Sequence, residues 1–225
     1  MEARTEDAVG IVLAGGGSKR LQAEAVPTRG KAGLLFEGRT FLECVCAAVA
    51  SAVGHDHGLF VVAAPGQVVS PGPGAMVIRD ATPDAGPLAG IRDGLRAARD
   101  AAAERGERAP AAAVIASCDV PLLRSDAIRL LVDEARASGA RWTVPVVHGH
   151  PQVLVSVMGM GMLPRIEAWL ATGRRDPRGL LERLQADEPG AVRTVNESAL
   201  IAVDPTLESF FDIDTPADLE RLRAR

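Results

Sequence analysis

Ala8-Val9-Gly10-Ile11-Val12-Leu13-Ala14-Gly15-Gly16-Gly17-Ser18-Lys19-Arg20 is a short apolar run that empties into three glycines and two cations. The run Ala8–Leu13 has the length of a buried strand, and glycines directly after it mark a turn. Four further runs repeat the pattern, at residues 59–64, 75–78, Ala112–Ser117 and Trp142–Val147. Between them, residues 40–53, 87–103 and 126–138 carry apolar side chains at three- and four-residue spacing, with charges on the opposite face. Strands alternating with helices need crossover connections, so the expected fold is α/β with a mostly parallel sheet covered on both sides.

Past Pro145 the pattern loosens. Residues 153–158 read as one more strand, and Leu163–Ala171 and 178–186 as short helices separated by the basic turn Gly173-Arg174-Arg175. Thr215-Pro216-Ala217-Asp218 combines an N-cap threonine, a proline at the first helical position and an acid three residues after the cap. A last helix is therefore expected through Leu219 and Leu222. Neither the Pro/Gly-rich segment 65–74 nor the alanine-rich 101–113 reads as a linker, and the expected organisation is a single domain over 1–225.

Composition narrows the function classes. With 47% hydrophobic and 24% charged residues, the chain has the make-up of a globular protein. A net charge of −4 argues against a nucleic-acid surface, which needs clustered cations, but leaves room for a local basic pocket. Cys44, Cys46 and Cys118 are an odd number without zinc-type spacing, as expected of reduced, buried thiols. The polar, acid-bearing start Met1–Gly10 is not a signal peptide, and no apolar run is long enough to span a bilayer. A cytoplasmic protein with no membrane partner is expected.

Glycines after a strand let backbone N–H groups approach phosphate oxygens, although they serve equally well in a structural turn. The spacing here is neither G-x-G-x-x-G nor a Walker loop. Lys19, Arg20, Arg29 and Lys31 follow closely, and this local charge favours triphosphate binding. Asp80 and Asp119 each follow a strand, and ligands of open α/β sheets sit outside the carboxyl ends of strands. A carboxylate there can hold Mg2+, which takes one or two carboxylates and completes its shell with water and phosphate oxygens. A strand-end aspartate can also be a loop or cap residue. For Asp119, followed by Pro121, metal binding is the expectation.

With Leu13-Ala14-Gly15-Gly16-Gly17-Ser18-Lys19-Arg20, Lys31 within GKAGLL, Arg79-Asp80, GPLAGI at 86–91, CDVPLL at 118–123, HGHPQ at 148–152 and DIDTPADL at 212–219 together, the chain resembles the molybdenum cofactor guanylyltransferases over nearly its whole length. The resemblance implies a Rossmann-like three-layer domain with a mostly parallel, mixed sheet, like that of nucleotide-diphospho-sugar transferases. It implies transfer of GMP from GTP to the phosphate of molybdopterin, with Mg2+ as cofactor and a molybdoenzyme or its chaperone as a further partner. On these positions Leu13, Ala14, Gly15 and Gly16 would contact the nucleotide, as would Asp80. Lys31 and Arg20 would oppose phosphate charge, and Asp119 would bind Mg2+.

The chain also departs from the family pattern. Arg20 and Lys31 are 11 positions apart where the family is more compact, Gln22 and Gly30 replace an expected glycine and acid, and Ala63 stands where some members have asparagine. The segment Val26-Pro27-Thr28-Arg29-Gly30 reads as a flap. Two rival functions are carried: a cytidylyltransferase for the same cofactor, which shares GHP and DIDTP, and a non-catalytic nucleotide-binding scaffold. Ala14-Gly15-Gly16, where the cytidylyltransferases open with A-A-G, favours GTP.

Several marked residues have plainer readings. His55 and His57 read as loop histidines, and Met158, Met160 and Met162 as packing residues. HGHPQ reads either as a turn or as an acceptor pocket. Arg174 and Arg175 read as a solvated helix end or as phosphate ligands.

Overall fold

β1 (Ala8–Leu13) is buried along its whole length, as a strand made only of small and branched apolar residues must be in the middle of a covered sheet. The structure is a computed structural model, and it describes residues 8–15, 21, 29–53, 58–82 and 85–225. After a 3-10 turn at Lys31–Gly33 come β2 (Leu35–Phe36), β3 (Arg39–Thr40), α1 (Phe41–Val53), β4 (Leu59–Ala63) and β5 (Ala75–Arg79). The chain continues through α2 (Pro87–Glu104), β6 (Ala112–Ser117), α3 (Ser125–Ser138), β7 (Trp142–Val147), β8 (His150–Pro151) and β9 (Val155–Gly159). It ends with α4 (Leu163–Ala171), α5 (Pro177–Asp187), β10 (Val192–Val195), α6 (Glu197–Ile201) and α7 (Pro216–Arg223).

Among the described residues the main sheet runs β10-β7-β9-β6-β1-β4-β5, with β8 folded back on β7. β1 lies parallel to both β4 and β6, and β5 and β10 extend the parallel pattern at the two edges. β9 alone of the long strands runs the other way, between β6 and β7. The sheet is therefore mixed and mostly parallel. Strands β1, β4, β5, β6, β7 and β10 all deliver their carboxyl ends to one edge.

Side chains alternate between two cores. Val12, Val61 and Val114 face α1 and α3, while Ile11, Leu13, Phe60, Val62 and Ile115 face α2, α4 and α5. α2 packs on β1 through Gly90 and Gly94, one turn apart, where there is little or no room for a side chain. A Cβ at Gly94 would stand 2.5 Å from Ile11 Cγ2, and one at Gly90 would stand 3.2 Å from Leu13 Cδ2. A third, smaller core joins distant parts of the chain: Leu21, Leu34 and Phe41 pack with Ile213, Leu219 and Leu222.

Both ends of that small core are capped. At α1, Thr40 donates its N–H and hydroxyl to Glu43 (2.7 and 2.8 Å), while Glu43 N–H returns to Thr40 Oγ1 at 3.1 Å. At α7, Thr215 and Asp218 form the same reciprocal pair, confirming the N-cap read from the sequence.

The long elements fall within a few residues of their expected bounds. The short β10, the one-turn α6 and the β2–β3 hairpin were not expected. Cys44, Cys46 and Cys118 are free, and Cys44 is half-buried rather than buried. Among the described residues no helix is long and apolar enough to cross a membrane.

Candidate active site

The end of β1 is tied into its neighbours by backbone bonds. Ala14 and Gly15 both donate their N–H groups to Val62 O, at 2.8 and 3.2 Å, and Cys118 N–H donates to Leu13 O at 3.0 Å. The Ala14 and Gly15 amides are thus engaged with the end of β4. Gly15 still needs its lack of a side chain, since a Cβ there would stand 3.3 Å from the backbone nitrogen of Ala64. Gly16, Arg20 and the flap residues Val26, Pro27 and Thr28 lie outside the described residues, as do His55 and His57.

Gln67 was given no role by the sequence. Its Oε1 accepts from Ala64 N–H at 3.0 Å, and its Nε2 donates to Ala14 O (2.9 Å) and Arg29 O (3.0 Å). One amide thus holds together the ends of β1 and β4 and the segment that leads into Lys31.

The structure brings Lys31 and Asp119 together, with Nζ 3.7 Å from Asp119 Oδ2. The sequence did not anticipate the second partner: Lys31 Nζ donates to Asp214 Oδ1, across 183 positions of chain. Both side chains are largely sheltered, Lys31 at 15% and Asp119 at 23% exposure. Burial alone would lower the Lys31 pKa, but the Asp214 hydrogen bond and the Asp119 and Asp214 charges outweigh it and raise it, so the ammonium is held charged.

Asp212 joins the cluster. Its carboxyl is pushed up first by burial, then by the charges of Asp214 and Asp119. The buried thiol of Cys118 is also pushed upward, by burial and by Asp119, and stays protonated. The DIDTPADL stretch held the signal for these residues: two acids at i and i+2 directly before a helix cap.

Why this segment arrives here follows from packing. Ile213, fully buried in the small core, turns its neighbours Asp212 and Asp214 away from that core. Its N–H donates to Asp119 O at 2.8 Å. Asp218 Oδ2, the cap acceptor, also receives Asp214 N–H at 3.3 Å. Further back, Ser209 Oγ accepts from Arg124 N–H at 3.0 Å while buried Asp204 accepts from Ser209 N–H at 2.8 Å.

Asp80 directly follows β5, three strands from β6, and donates its N–H to Ala63 O at 2.9 Å. Its carboxylate accepts Thr82 N–H at 2.8 Å, closing a local turn. That places it on the same edge as Asp119 but roughly 14 Å away, at three strand spacings. Behind it Asp93 accepts Ala81 N–H at 2.9 Å and pairs with Arg92, fixing the loop.

On the other half of the edge, His148 and Gly149 both have positive φ, 50° and 75°, and form the two-residue hairpin turn between β7 and β8. Glu197 accepts the His148 N–H. Arg174 is exposed just past the end of α4 and stacks over the Trp169 ring at 4.6 Å. Met158 and Met162 are fully buried core residues, and Met160 packs partly buried against the same core.

A mixed, mostly parallel sheet whose carboxyl edge gathers a glycine-bearing strand end, a lysine and a strand-end aspartate defines an α/β protein of the nucleotide-handling class. The family described as MobA-like NTP transferase domain matches residues 10–188, and the chain belongs to this nucleotidyltransferase family. A probable molybdenum cofactor guanylyltransferase of Mycobacterium avium (strain 104) is 32% identical over 213 residues, covering 95% of this chain and 93% of the relative. A molybdenum cofactor guanylyltransferase of Desulfosudis oleivorans is 31% identical over 219 residues, covering 97% and 96%. The crystal structure of molybdopterin-guanine dinucleotide biosynthesis protein A from Archaeoglobus fulgidus superposes with a TM-score of 0.71 at 22% identity, covering 96% of this chain and 97% of that one. The fold is that of the nucleotide-diphospho-sugar transferases, as the sequence suggested.

Proposed function

We propose that this chain, acting as a single nucleotidyltransferase domain over 1–225, transfers GMP from GTP to the phosphate of molybdopterin and releases pyrophosphate. The observation that carries the reading is the meeting of Lys31 and Asp119 beside the end of β1, in a family whose relatives bear that activity in their names. An oxygen of the acceptor phosphate attacks the α-phosphorus, the bond to the β-phosphate bridge breaks, and pyrophosphate leaves. A phosphate monoester is largely dianionic near neutral pH, so no protein base is needed; positioning and charge compensation suffice. This accounts for a site built from a lysine and carboxylates.

Lys31 supplies a fixed positive charge against the phosphate chain, and Arg20 is assigned the same task. Leu13, Ala14, Gly15 and Gly16 are assigned contact with the nucleotide. Asp80, farther along the edge, is assigned a contact with the nucleotide away from Asp119. Divalent metal use is general to MobA-like nucleotidyltransferases. The residues present suit such an ion only in a partly substrate-built site. Among the described residues no three His, Cys, Asp or Glu side chains form a ready cage, while Asp119 offers one sheltered, accessible carboxylate. That is the donor set of Mg2+, which uses few protein oxygens and several from phosphate and water. Bound there, Mg2+ would supply positive charge at the nonbridging phosphate oxygens. The free thiols suit a reducing compartment, and we place the reaction in the cytoplasm.

The test is pyrophosphate release from purified protein with molybdopterin, Mg2+ and either GTP or CTP. GTP should be preferred by at least about tenfold, a difference of roughly 1.4 kcal/mol. Preference for CTP would instead assign a cytidylyltransferase, and nucleotide binding without pyrophosphate release would assign a scaffold.

A further inference from the structure

The ammonium of Lys31 holds the position between two carboxylates that come from separate parts of the fold. Asp119 follows β6, and Asp214 precedes α7. Lys31 Nζ is bonded to Asp214 and lies 3.7 Å from Asp119. It is not a loosely held surface lysine. Its backbone is set in the Lys31–Gly33 turn, where Gly33 N–H bonds Gly30 O at 3.2 Å and Leu34 N–H bonds Lys31 O at 3.0 Å. Leu34 then anchors the turn in the small core shared with Ile213. The same core therefore fixes both ends of the ion pair.

A divalent ion on an oxygen of Asp119 would sit about 2.0–2.1 Å from it. An ammonium 3.7 Å from that carboxylate is too close for the two cations to share the space without strong repulsion. Lysine can leave by rotating its flexible stem, but only toward an alternative anion. A triphosphate provides one.

We infer that Lys31 is the resident cation of the nucleotide-free site, held by Asp214 and Asp119, so that a divalent ion settles on Asp119 together with nucleotide and not ahead of it. The inference rests on the reading that nucleotide binds at this edge. Lys31 has two successive partners: carboxylates while the site waits, phosphates once the nucleotide arrives. Asp214 is then a positioning residue, parking the lysine until the triphosphate takes it. The device makes nucleotide and metal cooperative without any change of fold, because each removes a like-charge or counter-charge conflict for the other.

The test uses Mn2+ as the probe and measures the free ion by electron paramagnetic resonance, without acceptor and without turnover. Native protein should bind Mn2+ weakly alone, and with a non-hydrolysable GTP analogue should take up more of the ion than protein and analogue do separately. Lys31→Met should tighten Mn2+ binding in the absence of nucleotide by about tenfold, since a nearby positive charge is gone. Adding Asp119→Asn to that variant should abolish the gain, which ties it to this carboxylate. Unchanged or weaker Mn2+ binding by folded Lys31→Met would overturn the resident-cation role. Uptake by native protein with the GTP analogue no greater than by the two separately would instead overturn the nucleotide reading beneath it.

A second variant guards against misfolding of the first. Asp214→Asn should tighten the metal-free GTP analogue, measured in chelator, by more than Asp212→Asn does. Both remove one acidic charge, but only the first releases Lys31. Equal effects of the two would count against the parking role of Asp214.

Discussion

Ile213 donates its backbone N–H to the carbonyl oxygen of Asp119 at 2.8 Å, fastening the segment before α7 to the loop after β6. The two residues are far apart in sequence, and their side chains play opposite parts. That of Ile213 is fully buried with Phe41 and Leu222, whereas that of Asp119 faces Lys31. Packing on one side of this bond thus sets charge geometry on the other.

Ile213→Ala should cost about 2–5 kcal/mol of stability, the range for removing a fully buried branched side chain and leaving a cavity. Because the same core carries Leu34, nucleotide affinity should also fall in the protein that remains folded. Urea unfolding and GTP titration at low temperature would check both. A stability loss under about 1 kcal/mol would show that the small core does not hold this edge.

Asp119→Asn retains the shape of the side chain and the bond its carbonyl oxygen receives from Ile213, but removes its negative charge. Turnover should fall by about two orders of magnitude or more with the thermal midpoint little changed. Pyrophosphate release near the native rate would remove Asp119 from the chemistry.

The strands that build the edge were legible because buried parallel strands are continuous apolar runs, and β1, β6 and β7 match theirs residue for residue. β10 was not. Val192-Arg193-Thr194-Val195 is four residues long, lies at the sheet edge and exposes its middle pair. Lys31 and Asp119 were legible from residue type and position. Asp214 was not assigned a role, because its partner lies 183 positions away: the acids of DIDTPADL mark the segment but do not point to Lys31. Gln67 escaped for a similar reason: an amide that links three backbone segments has no spacing rule to betray it.

Acid should loosen α7 before the sheet. Burial raises the Asp218 carboxyl, but the hydroxyl and N–H of Thr215 and the N–H of Asp214 outweigh this and hold it below the ordinary aspartate value. A depressed carboxylate contributes stability that is complete above the unfolded pKa and lost as pH falls through the folded one. Native protein should therefore exceed Asp218→Ala in stability by about 1 kcal/mol near pH 7. The gap should close below about pH 3, once the carboxyl is protonated in both states. Denaturant unfolding across this range is the measurement, and a gap that persists in acid would contradict the cap assignment.

Gln67 gives the most discriminating substitution, because its two ends face opposite chemistry. Oε1 accepts the Ala64 N–H, while Nε2 donates to the carbonyl oxygens of Ala14 and Arg29. Gln67→Ala removes all three bonds and leaves groups that water can partly reach, at a cost of about 1–3 kcal/mol. Gln67→Glu keeps the size but replaces the donor by an anionic oxygen facing two carbonyls. At neutral pH it should be more damaging than alanine, displacing the segment before Lys31 and raising KM for nucleotide. Protonation restores one donor, so the introduced carboxyl should titrate above the ordinary glutamate value. By linkage, a group with a raised pKa carries its favourable contribution below the unfolded pKa and loses it as pH climbs through the folded one. Thermal midpoints of Gln67→Glu should thus recover relative to Gln67→Ala as pH falls from about 7 to about 4. If the two variants keep a constant difference over that range, the amide does not donate to those carbonyls in solution.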